Sequence, residues 1–201
     1  FSFKFPVTVL PKKPIPETEK IYDFVTFSQN CSKNKGTFDA IAAIAILKNK
    51  YPTVTLNVCG ARDEESTQIM DDIINNYNLE KNIVFTDFFE KQIDLFHHLK
   101  KARFAVLPIK LDIISSTVSQ AMALGIPVVT NITSGTPELN KEKQCVLLSK
   151  IDDIADLAQK MMMLLEDENL ANKLRVNAHE YQLQDNNPTE RVNKLVEDLY
   201  A

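Results

Sequence analysis

Glycine is scarce in this chain, four among 201 residues, and none of the four falls in a G-x-G-x-x-G or P-loop spacing. That argues against NAD or ATP sites of the kinds in which glycine lets backbone close on phosphates. Cysteine is scarcer still. Cys31, Cys59 and Cys145 are odd in number and scattered, without Cys-x-x-Cys or Cys/His metal spacing, so they read as reduced thiols of a cytosolic protein. No apolar run approaches the roughly 18 residues that a spanning helix needs, and no signal peptide is visible. Positive charge is in deficit too: a formal net charge of −4 leaves no broad electrostatic grip on nucleic acid. Phe1 stands where an initiator methionine is missing, so an excised piece of a longer protein is expected.

With 44% hydrophobic and 25% charged residues, what remains is an ordinary globular chain able to bury a core without staples. Val7 to Leu10 is a short apolar run, expected as a strand. Pro11, Pro14 and Pro16 follow it, and three prolines in six residues make an extended connector, because each fixes φ and restricts its predecessor. Residues 1–19 therefore read as strand plus interdomain linker, with the upstream domain absent, and residues 20–201 as one domain.

Strand and helix patterns then alternate. Strands are expected at Ile21–Phe27, at Thr53–Val58 (ending at Gly60), Asn82–Thr86, Arg103–Leu107, Pro127–Thr130 and Cys145–Leu148. Between them lie helical patterns at Phe38–Leu47, apolar nearly all round, and around Ile69, Ile73, Ile74 and Tyr77, taken as one face. Gln92–Lys100 and the stretch to Gly125 are helical as well. Three more helices close the chain, Ile151–Glu166, Asn169–Leu183 and Pro188–Tyr200. Alternating βα units with apolar strands predict an α/β fold: a doubly wound parallel sheet with C-terminal helices. Ligands of such sheets sit at the carboxyl ends of the strands, which gathers the loops after Phe27, Val58, Thr86, Leu107 and Thr130 around one mouth.

The most informative stretch is Val106 to Thr130. An apolar strand runs into a loop carrying Asp112; Ser115, Ser116 and Thr117 then open a helix that stops at Gly125. Backbone N–H groups and the helix dipole there face an anion. Asp112 could accept a hydrogen bond from a sugar hydroxyl, and Gln120 could reach ribose hydroxyls with a donor and an acceptor. A plainer reading stays open, with Thr117-x-x-Gln120 as a capping box and Asp112 as a surface acid. In the loop Ser28–Gly36, Lys33 and Lys35 suit a phosphate or simply a solvated turn. Glu138, in Ser134-Gly-Thr-Pro-Glu138, reads as solvated. His97 and His98 are adjacent and so point to different faces, one packed and one wet, which makes a poor metal pair. Met161, Met162 and Met163 read as core filler. No Ser/His/Asp or Cys/His arrangement stands out, and no metal site is expected.

Several of these residues carry a resemblance. Lys35-Gly36, Tyr51-Pro52, Gly60, Asn82-Ile-Val-Phe85 and Leu107-Pro108 stand at spacings that resemble the carboxyl-terminal, donor-binding domain of GT-B glycosyltransferases of family 4 (group 1). Gln120-Ala-Met-Ala-Leu-Gly-Ile-Pro-Val-Val129 resembles that family's Glu-Ala-Met-Ala-x-Gly-x-Pro-Val-Val, and Ser134-Gly-Thr-Pro-Glu138 its Gly-x-Pro-Glu turn. The resemblance implies a Rossmann-like half of a GT-B fold that binds a nucleotide-sugar (a UDP-, GDP- or ADP-sugar) without a metal cofactor. It implies a retaining transfer of hexosyltransferase type in glycan or polysaccharide biosynthesis, the acceptor held by the missing N-terminal domain. Lys35, beside Gly36, would neutralise the diphosphate, and Ser115, Ser116 and Thr117 would present the helix N-terminus to it. Asp112 would sit against the donor sugar as the catalytic residue, and Gln120 would contact the ribose. A cytoplasmic protein is implied, peripheral at the inner membrane face only through the missing domain.

The departures from the pattern have physical content. Asp112 and Gln120 stand where the family has two glutamates, and Gln120 lacks the charge that makes a carboxylate a strong double acceptor. Asn30 replaces an arginine, leaving Lys33 as the nearest substitute cation. Ile113-Ile-Ser115 replaces Gly-Phe-Gly, hindering close backbone approach. They leave open an alternative: a divergent, non-catalytic GT-B relative acting as a scaffold or regulatory binding module. A sugar-nucleotide epimerase would need catalytic acids and a histidine that are not found here.

Overall fold

Branched and aromatic side chains pack well on a pleated surface, and six runs rich in them form strands in the computed structural model, which describes residues 14–185. The strands are β1 (Tyr22–Asn30), β2 (Leu56–Ala61), β3 (Ile83–Thr86), β4 (Ala102–Leu107), β5 (Val128–Asn131) and β6 (Leu147–Ser149). The helices are α1 (Thr37–Lys48), α2 (Glu64–Tyr77), α3 (Gln92–Leu99), α4 (Ser116–Ala123), α5 (Ile154–Glu166) and α6 (Glu168–Asp185). The strand expected at Val7–Leu10 and the helix expected at Pro188–Tyr200 lie outside the described residues.

The strands form one sheet in the order β3-β2-β1-β4-β5-β6, every pair parallel. Side-chain alternation divides the core in two. Phe24, Leu56, Phe104 and Val129 face one layer with Ile41 and Ile44 of α1, Met70 of α2 and Met161 of α5. Val25, Phe27, Ala105 and Val128 face the other with Phe96 of α3 and Val118 and Met122 of α4. Helix α6 straddles both, with Leu174 in the first layer and Ala178 in the second. This is the doubly wound, Rossmann-like arrangement expected from the alternating pattern.

Several boundaries differ from expectation for local reasons. β1 runs three residues past Phe27, because Asn30 pairs with Ala61 across a register shift. β2 begins at Leu56 and passes through Gly60; before it, the Thr55 amide donates to the Asp23 carboxylate at 3.0 Å. β6 starts at Leu147 because the amides of Cys145 and Val146 donate to Asn140 Oδ1, at 2.9 and 3.0 Å, instead of joining the ladder. α5 starts at Ile154 because Asp153 caps it and Asp152 is left-handed at φ 61°. The buried face of α2 is Ser66, Met70 and Ile74, whereas Ile69 and Tyr77 lie exposed. Asp63 and Ser66 form a reciprocal capping box there, the Ser66 amide donating to Asp63 Oδ1 at 2.7 Å.

Residues 14–21 precede β1 without regular structure. Lys100, at the carboxyl end of α3, clamps them. Its buried ammonium pairs with Glu17 and donates to the Leu124 carbonyl after α4 at 3.0 Å, while Lys20 donates to the Lys100 carbonyl at 2.7 Å.

Candidate functional site

The ends of β1 and β2 and the elements that follow β3 and β4 line a cleft of about 370 Å³, whereas the loop after Thr130, expected at the same mouth, does not reach it. Its floor is the end of β1 (Phe27, Ser28, Gln29) and of β2 (Cys59, Gly60). Gly60 keeps that floor tight: at φ 146° a Cβ there would sit 2.3 Å from the Ser28 carbonyl oxygen. One wall is the first turns of α4 (Ser116, Thr117, Gln120), and the other is the β3–α3 connection with Phe88, Phe89 and Glu90.

The α4 end of the cleft is open to an anion. Ser115 occupies the N-cap in an extended conformation, yet no side chain caps the helix. The Ser115 hydroxyl instead lies 3.0 Å from that of Thr117. The capping box read from Thr117-x-x-Gln120 is therefore not formed, because the helix begins at Ser116 and Thr117 already lies inside its first turn. Uncapped first-turn N–H groups with the positive end of the helix dipole favour negative charge.

Next to the N-cap Ser115, Lys35 Nζ donates to Asp112 Oδ2 at 2.7 Å, both side chains about one-third exposed or slightly more; like Gly36 and Ser115, neither is among the cleft-lining residues. The hydrogen bond from Lys35 holds the Asp112 carboxyl below its ordinary value, against a smaller upward push from burial. The pair brings together two residues far apart in sequence because their loops are docked. Gly36, in the left-handed region at φ 72°, lies so close to the β4–α4 loop that a Cβ would meet the Pro108 carbonyl oxygen at 2.1 Å. The Lys110 amide donates to the Asn34 carbonyl at 3.0 Å.

The other expected residues are placed as follows. Asn30 ends β1, exposed, and is not among the cleft-lining residues. Lys33 is exposed and adds its charge to that of Lys110 in holding the Asp152 carboxyl low, so it faces the β6–α5 turn. Ile113 is exposed, its carbonyl accepting from Thr133 Oγ1 at 2.6 Å, and Ile114 packs into the core. Neither isoleucine lines the cleft. Glu138 is exposed and pairs with Lys141 at 3.3 Å. His97 is exposed, while His98 is half-buried with Nε2 2.9 Å from Asn57 Oδ1, and burial lowers its pKa. Among the described residues no three of His, Cys, Asp or Glu come together as a metal set, and no helix is long and apolar enough to cross a membrane.

Two features escaped the sequence reading. One is Lys110, whose side chain is only 10% exposed and bridges Asp39 at 2.8 Å and Asp152 at 2.6 Å. Burial pulls its pKa down, but the bonds to Asp152 and Asp39 outweigh that and raise it. Nothing local in the sequence announces a contact between α1, the β4–α4 loop and the β6–α5 turn. The other is the Phe88-Phe89-Glu90 wall. The loop after Thr86 was expected at the mouth, but its residues match no motif.

Comparisons with known proteins bear on the family and the fold. Residues 10–181 match the family model of the glycosyl transferases group 1. An uncharacterized glycosyltransferase of Haemophilus influenzae is 24% identical over 189 residues, 90% of this chain and 50% of that protein. This chain thus spans half the length of that relative. Among solved structures, the C-terminal domain of the group 1 glycosyl transferase LpcC from Francisella tularensis superposes with a TM-score of 0.71. It is 21% identical, and the match covers 84% of this chain and 87% of that one. A TarM variant of S. aureus in complex with UDP, alpha-GlcNAc-glycerol and fondaparinux gives a TM-score of 0.75 at 18% identity, over 96% of this chain and 38% of that one. In sequence and in the fold of a GT-B carboxyl-terminal domain, the chain belongs to the group 1 glycosyl transferases.

Proposed function

We propose that this chain is the donor-binding half of a retaining glycosyltransferase of hexosyltransferase type. Residues 20–201 take a nucleotide-sugar, and residues 1–19 lead from an N-terminal half that holds the acceptor, in glycan or polysaccharide biosynthesis. A reducing compartment such as the cytoplasm suits its three unpaired, buried thiols. The observation that carries the reading is a cleft walled by the uncapped N-terminus of α4, whose N-cap Ser115 bonds to the Lys35-paired Asp112, in a group 1 member. UDP bound to TarM, a protein of the same fold, supports a nucleoside diphosphate as the ligand class.

The chemistry follows from charge. A diphosphate leaving group gains negative charge as the sugar departs, and aligned N–H groups with a lysine stabilise it without a metal. Lys35 is free to change partner, because a partly exposed ion pair such as Lys35–Asp112 is worth only about 0–1 kcal/mol. Charge-assisted hydrogen bonds to phosphate are worth roughly 1.5–3 kcal/mol each, so the incoming anion wins. Asp112, held ionised, is then left as an acceptor for a sugar hydroxyl, and Gln120 reaches the ribose. Titration calorimetry with UDP, GDP, ADP and their sugars tests this. Micromolar to millimolar binding without turnover is expected of this half alone, and no binding by any of them at high concentration would sink it.

One observation favours a second reading, a non-catalytic scaffold. Gln120, which lines the cleft, is neutral where an ionised carboxylate would grip ribose more firmly. Gln120→Glu should tighten nucleotide binding if the cleft serves a donor; an unchanged affinity favours the scaffold.

A further inference from the structure

We infer that the cleft is built for a guanine nucleotide, with Glu90 as the side chain that reads the base. This rests on the donor-binding reading above and names the donor class within it.

The sheet order gives the cleft two unlike ends. α4 follows β4 and the Phe88-Phe89-Glu90 wall follows β3, with β2 and β1 between them. At one strand spacing of about 4.8 Å each, three steps separate the two walls by roughly 14 Å. An extended nucleoside diphosphate laid across that span puts its phosphates against Ser116 and Thr117 and its base against the far wall. The far wall suits a base: Phe88, 50% exposed, offers aromatic surface for stacking, next to Phe89, whose ring packs against His98.

Glu90 is the one formally charged side chain among the lining residues. A carboxylate is out of place beside a diphosphate, which it repels. At the opposite end of the cleft it has a use, as an acceptor of N–H groups. It makes no hydrogen bond or ion pair with any other described residue, so both oxygens are available.

The pattern of donors on each base decides which one fits. Guanine presents N1–H and the exocyclic N2–H2 side by side, so two carboxylate oxygens accept both at once. Uracil flanks its single N3–H with two carbonyl oxygens, which face the carboxylate lone pair to lone pair. Adenine and cytosine each set an amino group beside a ring nitrogen acceptor, leaving one carboxylate oxygen opposed.

The test is calorimetry of the 201-residue chain with GDP, UDP, ADP and CDP, repeated on Glu90→Gln after its melting curve is matched to the native one. GDP should bind about tenfold more tightly than UDP, the scale of one bidentate base contact. Glu90→Gln should lose about tenfold for GDP and should not weaken UDP, whose carbonyls no longer face a carboxylate. UDP binding as well as or better than GDP, or Glu90→Gln binding GDP like the native chain, overturns the guanine assignment and leaves the donor-binding reading standing. If none of the nucleotides binds, both fall together.

Discussion

The Lys35–Asp112 pair sets what each residue does at a given pH. The folded pKa of Asp112 lies below the ordinary 3.8, so the pair's contribution is fully present above 3.8 and fades as pH falls through the lowered value. At neutral pH Asp112 is an acceptor and cannot serve as a proton donor. In Lys35→Met the carboxyl should titrate closer to its ordinary value, read from carboxyl carbon shifts by NMR; an unmoved midpoint would mean that the pair does not form in solution. The thiols behave in the opposite sense. Burial pushes Cys59 up to about 12 and also raises Cys31 and Cys145. Since the thiolate is the nucleophile, a disulfide reagent near neutral pH should react only after denaturant is added. Fast reaction of Cys59 in the native chain would contradict the closed floor of the cleft. Gly36 carries a third expectation. Gly36→Ala places a side chain at φ 72° against the Pro108 carbonyl, and backbone strain alone costs about 1–3 kcal/mol there. A denaturation midpoint equal to that of the native chain would show that the two loops are not docked as described.

At the scale of elements, helix α2 separates what sequence can and cannot reveal. Its helical period was legible, but its orientation was not. Ile69, Ile73, Ile74 and Tyr77 look like an apolar stripe, yet Met70 is fully buried and Ile69 is 36% exposed. The inward face is set by what α1 and the sheet offer, which no window of α2 contains. Met70→Ala should cost about 2–5 kcal/mol, whereas Ile69→Ala should stay within roughly 1 kcal/mol. Comparable losses in urea unfolding would reverse that orientation. The strands were legible as alternating apolar runs, and their errors are errors of pairing. Asn30 joins β1 because Ala61 is opposite, and Cys145 leaves β6 because Asn140 takes its amide. At the site, the helix opening at Ser116 and the pairing-prone residues Lys35 and Asp112 could be picked out by type and spacing. Lys110 could not, since its partners come from α1 (Asp39) and the β6–α5 turn (Asp152), both distant in sequence.

At the scale of the whole molecule, ligand and fold are linked. A nucleotide that binds only the folded chain at a hundredfold excess over its dissociation constant stabilises it by about 2.7 kcal/mol. For a domain of this size that is roughly 5–10 °C in melting temperature, and a flat melting temperature at saturating GDP and UDP would count against the cleft as a donor site.

The Lys100 clamp has a mechanical meaning as well. The stretch from Glu17 to Lys20 is fastened to the tail of α3 and, through the Leu124 carbonyl, to the tail of α4. The heads of those same two rods border the cleft. The polypeptide ahead of β1 is thus tied to the far ends of both walls at once. One buried ammonium thereby joins the strap to both sides of the mouth.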